Sequence, residues 1–200
     1  MSRTLEFVFD FASPNAYLAR CVLPEIAERT GAELRLLPCL LGGIFKLAGN
    51  QSPIAAFAQV RGKLEYEALE TQRFIAKHRL HRFHFNPHFP MNTLLIMRGL
   101  IAARRSGVAD AYLEAVSAAT WENGLKMDDP AVVEKVLRDA GLDSAALLAM
   151  TQDPEVKAEL LSNTEAVVKR GAFGIPTFFV GDEMFFGKER LDQVEAFLSS

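Results

Sequence analysis

Near the start of the chain, apolar residues occupy every second position over residues 5–11. This spacing predicts a β-strand, because every second side chain of a strand points to the same face of the sheet. After Ser13-Pro14 the apolar positions change to helical spacing and stop at Gly31. Ser is a favoured N-cap and Pro a favoured first helical residue, so a helix is predicted to begin there. A second apolar run predicts a strand over residues 33–38.

A helix separates the first two predicted strands, so they should be parallel and joined by a right-handed crossover. Helical patterns then fill the middle of the chain, at residues 42–49, 57–79, 92–106, 108–124, 130–140, 143–150 and 153–170. A hairpin of strands 177–181 and 184–186, turning at Gly181-Asp182, and a helix over 188–198 are predicted to close the chain.

These elements predict an α/β fold, a thioredoxin-like βαβ…ββα core interrupted by a large all-helical insertion. We expect the thioredoxin-like domain to be discontinuous, residues 1–41 and 173–200, with the helical insertion domain at 42–172. A chain of 200 residues is long enough to bury a substantial core.

Composition narrows the class of protein. The formal net charge of −3 gives no electrostatic reason to expect nucleic acid or an anionic membrane as a partner. No apolar run approaches the roughly 18 residues of a membrane span, and no apolar leader precedes the first strand, so we expect a cytoplasmic protein with no membrane partner. Cys21 and Cys39 lack a Cys-x-x-Cys spacing and are predicted to be buried free thiols.

Ser13 is the first candidate for chemistry. Redox members of the thioredoxin fold carry cysteines where this chain has Ser13 and Ala16, so disulfide exchange is excluded here. A helix N-terminus still offers unpaired N–H groups and partial positive charge to an anion. Ser13 is therefore either a plain N-cap or a group that stabilises the thiolate of another molecule.

Pro176 is the second candidate for a functional residue, because it follows Phe173-Gly174-Ile175 and directly precedes the predicted strand over residues 177–181. The pattern is typical of a cis peptide bond, which would turn the backbone of Ile175 toward the first helix. Such a backbone could pair with an extended peptide, and a tripeptide such as glutathione would suit the slot.

Four histidines, at positions 78, 81, 84 and 88, suggest a metal cluster by spacing alone. Asn86-Pro87 and Phe89-Pro90 interrupt any helix that would align them, and no Cys or acidic pair completes a ligand set, so no metal is predicted. Trp121, on a predicted helix, is interpreted as a core residue rather than a substrate platform.

Five segments together resemble the 2-hydroxychromene-2-carboxylate isomerase family, which lies beside the kappa-class glutathione transferases in the DsbA-like branch of the thioredoxin fold. They are Phe9–Pro14, Leu41–Asn50, Phe89–Thr93, Gly171–Pro176 and Phe185–Gly187. The resemblance runs in order over almost the whole chain. It implies glutathione as cofactor and a homodimer.

The same resemblance implies roles for individual residues. Ser13 matches the serine that holds the glutathione sulfur, and Ile175 with Pro176 matches the backbone clamp on its cysteinyl part. Asn50 and Lys63 match residues that bind the tripeptide, Lys63 at the glycine carboxylate, with Arg61 as a competing match for that cation.

Two departures from the family pattern are visible. The family has a small polar residue and an Asp at the γ-glutamyl end of glutathione, where this chain has Lys188 and Glu189. By position, these two residues are implied to bind glutathione, because Glu189 can still accept a hydrogen bond from the γ-glutamyl ammonium group. Asn15-Ala16 replaces an aromatic-Ser pair common in the family, which changes the wall beside the substrate.

We therefore expect a glutathione-dependent isomerase that interconverts 2-hydroxychromene-2-carboxylate and trans-o-hydroxybenzylidenepyruvate, a small aromatic carboxylate substrate. The expected mechanism is thiolate addition, bond rotation and elimination, without net redox change. The alternatives are a kappa-like glutathione transferase or peroxidase and a non-catalytic thioredoxin-like binding module.

Overall fold

The structure, a computed structural model, describes residues 3–200. Its four strands are β1 (Thr4–Phe9), β2 (Glu33–Pro38), β3 (Thr177–Val180) and β4 (Glu183–Phe186). Its α-helices are α1 (Pro14–Thr30), α2 (Leu41–Ala48), α3 (Pro53–Phe57), α4 (Lys63–His78), α5 (Leu94–Arg105), α6 (Ala109–Trp121), α7 (Pro130–Asp139), α8 (Ser144–Met150), α9 (Pro154–Lys169) and α10 (Leu191–Ser199).

The strands form one mixed sheet in the order β2-β1-β3-β4. β1 and β2 are parallel, from Thr4 opposite Glu33 to Phe9 opposite Pro38, as the intervening helix predicted. β3 runs antiparallel to both β1 and β4, and Val180 pairs with Glu183 across the predicted two-residue turn. Gly181 in that turn has φ +60°, which favours glycine.

Buried side chains of the sheet and of the helices between β2 and β3 form one continuous apolar cluster. At its centre Phe7 of β1 stacks on Phe178 of β3, with ring centroids 5.4 Å apart. The thioredoxin-like fold with a helical insertion is therefore present, while the division at residues 41 and 173 stays a prediction.

Three predicted elements needed correction. The helix expected over residues 57–79 begins only at Lys63, after a turn over residues 58–62 in which Gly62 has φ +79°, and the short helix α3, which ends at Phe57, was not predicted. The first strand ends at Phe9 rather than at residue 11, since Ser13 N–H donates to the Asp10 carbonyl and closes a turn. The last helix begins as a 3₁₀ turn over Lys188–Arg190.

Within residues 3–200, none of the helices combines the length and apolar character needed to cross a bilayer. Both cysteines are free thiols. Cys39 is buried as predicted, but Cys21 is only half-buried. Burial and the nearby Asp10 raise the pKa of the Cys39 thiol to about 12.

Candidate functional site

Ser13 is the N-cap of α1, as its sequence context predicted, and it is buried. Its Oγ accepts a hydrogen bond from the Ala16 N–H at 3.1 Å, which satisfies one of the donors at the helix start. The same hydroxyl donates its hydrogen to the Ile175 carbonyl oxygen at 3.0 Å. The Ser13 turn and the Ile175–Pro176 loop, which the sequence indicated as candidate parts of a binding site, are therefore in direct contact.

The first turn of α1 keeps one donor unused. Pro14 has no N–H, and the N–H groups of Ala16 and Tyr17 both reach the Ser13 carbonyl oxygen. Among the described residues, the Asn15 N–H has no hydrogen-bond partner. With the positive end of the helix dipole, this N–H makes the start of α1 suited to an anion.

Local contacts hold the Gly174–Pro176 loop in place. Ile175–Pro176 is a cis peptide bond, as predicted. The Thr177 hydroxyl donates to the Gly174 carbonyl at 2.7 Å, and a Cβ on Gly174 would lie 2.8 Å from the Phe186 ring, so a larger residue there would force that ring to move. Within residues 3–200, the Ile175 N–H has no hydrogen-bond partner and is free to pair with an extended ligand.

Asn50 follows α2 and lies beside the same loop. Its Nδ2 donates to the Phe173 carbonyl at 2.8 Å, and its Oδ1 accepts from the Gln51 N–H at 2.8 Å. The side chain is exposed at the surface. The structure thus brings Asn50 within two residues of Ile175, although 123 positions separate Asn50 from Phe173 in sequence.

Neither basic candidate is linked to the Ser13 turn by a hydrogen bond or ion pair. Lys63, at the start of α4, forms an ion pair with Glu67 and lies 5.3 Å from the centre of the Phe57 ring. Arg61, in the preceding turn, is exposed and has no ion pair or side-chain hydrogen bond among the described residues. Arg61 is therefore the more available cation, and the geometry leaves both matches open.

Lys188 is 2% exposed, which is unusual for a lysine. Its ammonium forms an ion pair with Glu189 and lies 5.5 Å from the centre of the Phe74 ring in α4. The Glu189 carboxylate is 44% exposed, so it can meet a ligand that Lys188 cannot readily reach. Lys188 and Glu189, the two residues that depart from the family pattern, thus form an ion pair with each other.

Asp10 is a site residue to which the sequence analysis assigned no role. It is fully buried, and its carboxylate accepts three hydrogen bonds from the protein. Burial raises the pKa of this carboxyl above its ordinary value, although the three donors oppose the shift. The sequence could have indicated a role for Asp10, because Asp10 lies in the Phe9–Pro14 motif directly before the turn to Ser13.

An aromatic cluster lies beside the turn. Trp121 is fully buried, as expected of a core residue, and its Nε1 donates to the Phe11 carbonyl at 2.9 Å. Tyr17, one turn into α1, packs near Phe83 and donates its hydroxyl hydrogen to Glu122 at 2.8 Å. Burial and the Glu122 carboxylate raise the pKa of Tyr17 well above its usual range.

A cavity of about 580 Å³ lies further along α1, lined by residues that include Tyr17, Cys21 and Leu36 but not Ser13. It is therefore separate from the Ser13 turn. The four histidines do not form a metal site in the described part of the chain, where no group of three or more His, Cys, Asp or Glu side chains is placed to hold an ion.

Comparison with known proteins places this geometry in a family. The family model for the DSBA-like thioredoxin domain matches residues 4–199. A 2-hydroxychromene-2-carboxylate isomerase from Sphingobium xenophagum is 30% identical over 198 residues, covering 99% of each chain. Glutathione S-transferase kappa 1 from Rattus norvegicus is 30% identical over 201 residues, covering 95% of this chain and 88% of the transferase.

A solved structure of a 2-hydroxychromene-2-carboxylate isomerase agrees with these matches. It superposes with a TM-score of 0.78 at 28% identity and covers 98% of this chain and 94% of its own. Sequence and structure comparisons therefore lead to the same group of proteins, and the chain belongs to the 2-hydroxychromene-2-carboxylate isomerase family of DSBA-like thioredoxin domains.

Proposed function

We propose that the protein is a glutathione-dependent isomerase that interconverts 2-hydroxychromene-2-carboxylate and trans-o-hydroxybenzylidenepyruvate. The observation that carries the proposal is the Ser13 hydroxyl at the start of α1, bonded to the backbone of Ile175. Relatives named 2-hydroxychromene-2-carboxylate isomerase support the choice of substrate and the isomerase class.

The residues present fit glutathione. The free Ile175 N–H suits the cysteinyl backbone of a tripeptide, and the free Asn15 N–H suits a sulfur anion at the helix start. Asn50 would contact the backbone beyond, and Arg61 or Lys63 would meet the glycine carboxylate. Glu189 would accept from the γ-glutamyl ammonium group.

When bound, glutathione would supply a thiolate nucleophile for reversible addition to the conjugated carbon skeleton, the chemistry that permits rotation about a former double bond. The task of Ser13 is to hold that sulfur as an anion. Lowering a thiol pKa from about 8.5 by two units requires roughly 2.7 kcal/mol. One hydrogen bond to a charged group contributes about 1.5–3 kcal/mol, and the helix dipole adds to it.

The Ser13 hydroxyl has a single hydrogen, which the Ile175 carbonyl oxygen receives in this structure. To donate to a sulfur anion, the hydroxyl must rotate away from that carbonyl. The Ala16 N–H can continue to donate to Oγ during the rotation, because it uses an oxygen lone pair. Rotation therefore exchanges a neutral acceptor for a charged one, which strengthens the bond.

The proposal also covers the substrate, the oligomeric state, the cellular location and the partners of the protein. It includes a small aromatic carboxylate as substrate, a homodimer and a cytoplasmic location, with no nucleic-acid or membrane partner. The net charge of −3 is consistent with the exclusion of nucleic acid.

A second candidate function is a kappa-like glutathione transferase or peroxidase, favoured by the 30% identity to the rat enzyme of that class. The same thiolate would then react with other electrophiles. The site residues named above would bind glutathione in both enzymes, so the substrate alone distinguishes them.

The test measures glutathione binding and turnover with the full-length protein. Calorimetric titration should show binding, and the desalted protein should isomerise 2-hydroxychromene-2-carboxylate only after glutathione is added. EDTA should leave the rate unchanged. Turnover without any thiol, or its loss in EDTA, contradicts the proposal.

Two further outcomes separate the alternatives. Binding of glutathione together with conjugation of a model electrophile, and no isomerisation, identifies the transferase. No binding of glutathione leaves the non-catalytic binding module, in which Ser13 acts only as a helix cap.

A further inference from the structure

The buried carboxylate of Asp10 connects three segments that are distant in sequence. Its Oδ1 accepts from the Ala12 N–H at 2.9 Å and from the Thr93 hydroxyl at 2.7 Å. Its Oδ2 accepts from the Leu41 N–H at 2.7 Å. Asp10 is 0% exposed, so the protein supplies the donors that water would otherwise provide.

Two of these segments carry candidate glutathione ligands. Ala12 belongs to the turn that ends at Ser13, and the Ser13 N–H donates to the Asp10 carbonyl at 3.1 Å. Leu41 is the first residue of α2, and Asn50 lies two residues beyond the end of that helix. The two oxygens of one carboxylate thus bind the starts of the segments that present Ser13 and Asn50.

The third segment is fixed by Thr93, the N-cap residue of α5. Its hydroxyl does not cap the helix but is directed to Asp10. The Asn92 side chain instead accepts from the Leu94 N–H at 3.0 Å. The Thr93 hydroxyl is thus bonded to a distant carboxylate, and Asn92 provides the side-chain acceptor at the start of α5.

Hydrogen bonding explains why this position is polar, since an apolar residue would leave the Ala12 and Leu41 N–H groups without their acceptor. It does not explain why one carboxylate serves three separate segments, because a buried carboxylate costs free energy even when it is hydrogen-bonded. What the shared acceptor adds is a fixed relative placement of the three segments, which matters for groups that must meet one ligand.

We propose that Asp10 is a positioning residue that fixes the position of the Ser13 turn relative to α2, so that Ser13 and Asn50 contact the same glutathione molecule. Thr93 restrains the carboxylate in that role. The inference rests on the proposed function in taking glutathione as the ligand, but its geometric part concerns the protein alone.

The experiment compares four variants of the full-length protein. Asp10→Asn retains size but places an amide donor opposite one of the existing donors. Thr93→Val removes the hydroxyl at nearly constant volume, and Thr93→Ser restores it. Thr151→Val is the matched control, because the Thr151 hydroxyl is also in a buried residue but donates only to Leu148 in its own helix region.

Three readouts are collected for each variant: the unfolding midpoint, the dissociation constant for glutathione by calorimetry, and the pKa of the bound thiol by its absorbance at 240 nm. We expect Thr93→Val and Asp10→Asn to weaken glutathione binding about tenfold, the loss of one hydrogen bond, and to raise the bound thiol pKa. Thr93→Ser should match the parent protein. Thr151→Val should lower the unfolding midpoint without changing binding or thiol pKa.

Equal glutathione affinity and thiol pKa in Thr93→Val and Thr151→Val would overturn the inference. If the parent protein does not bind glutathione, the proposed function fails instead, and hydrogen–deuterium exchange decides the inference separately. Faster exchange over residues 10–17 in Thr93→Val than in Thr151→Val supports the positioning role. Equal exchange overturns it.

Discussion

The Ser13 hydroxyl donates a hydrogen bond to the Ile175 carbonyl oxygen at 3.0 Å, across 162 positions of sequence. This bond joins the helix start of the N-terminal βαβ unit to the loop that enters the C-terminal hairpin. Both residues are buried, so the contact defines the floor of the candidate site. The unused Asn15 and Ile175 N–H groups belong to the same two segments.

We expect Ser13→Ala to slow isomerisation by tens- to thousands-fold, because it removes roughly 2–4 kcal/mol of anion stabilisation. The absorbance-derived pKa of bound glutathione should rise in parallel. Ser13→Cys should not restore the parent rate, since it introduces a competing thiol.

Ser52→Ala is the control for the loss of a helix cap, because the Ser52 hydroxyl accepts from Ala55 at the start of α3. Both Ala variants lose about 1 kcal/mol of cap energy, but only Ser13→Ala should change the thiol pKa. A parent-like rate and pKa in Ser13→Ala would rule out the assigned role.

Asn50→Asp should weaken glutathione binding, because it replaces the donor that faces the Phe173 carbonyl with an acceptor. The repulsion would displace the loop that contains Ile175, and we expect a change of about 1–3 kcal/mol in binding. Asn163→Asp is the matched control, since Asn163 also donates to a backbone carbonyl, that of Pro38. Calorimetry that gives the same dissociation constant for the two variants would contradict the prediction.

Glu189→Gln should raise KM for glutathione, by the equivalent of about 1–3 kcal/mol, and leave kcat nearly unchanged, because the γ-glutamyl end is remote from the sulfur. The variant also leaves the buried Lys188 ammonium without its charged partner, so the free energy of unfolding should fall. Glu183→Gln, at an exposed position of β4, controls for the loss of one surface charge. An unchanged KM with lowered stability would show that Glu189 serves Lys188 alone.

The stability contributed by Asp10 should depend on pH. Burial raises the pKa of this carboxyl above its ordinary value of 3.8, so the folded state binds the proton more tightly than the unfolded state. The contribution is therefore most favourable below the unfolded value and falls as pH rises through the folded pKa. Urea unfolding from pH 4 upward should show the parent losing stability relative to Asp10→Asn, and a difference that stays constant or grows would refute this assignment.

Cys39 should resist alkylation in the folded protein. Its thiol is buried, and its pKa is raised to about 12, so almost no thiolate exists at pH 8. Cys21, half-buried beside a cavity, should react faster. Mass spectrometry after iodoacetamide treatment should find Cys39 labelled only in denaturant, and labelling of Cys39 before Cys21 under native conditions would contradict the expectation.

Most of the fold followed from local patterns in the chain. The period of the apolar residues predicted β1, β2 and the main helices, and Ser13-Pro14 and Gly181-Asp182 identified a helix start and a hairpin turn. Such signals depend on neighbours within a few residues, where backbone sterics and hydrogen bonding act. The helix predicted over residues 57–79 was placed too early at its start, because apolar spacing does not encode the turn before Lys63, in which Gly62 adopts a positive φ.

The residue types at the candidate site, the missing Cys-x-x-Cys motif and the resemblance that implies glutathione are all visible in the linear chain. The tertiary structure shows which of those residues meet distant partners: Ser13 contacts Ile175, Asn50 contacts the Phe173 carbonyl, and Lys188 lies over the Phe74 ring. It alone showed that Asp10 binds donors from segments as far away as Thr93. The physical reason is that burial and long-range hydrogen bonding arise when distant segments pack together, and no local period of the chain records that packing.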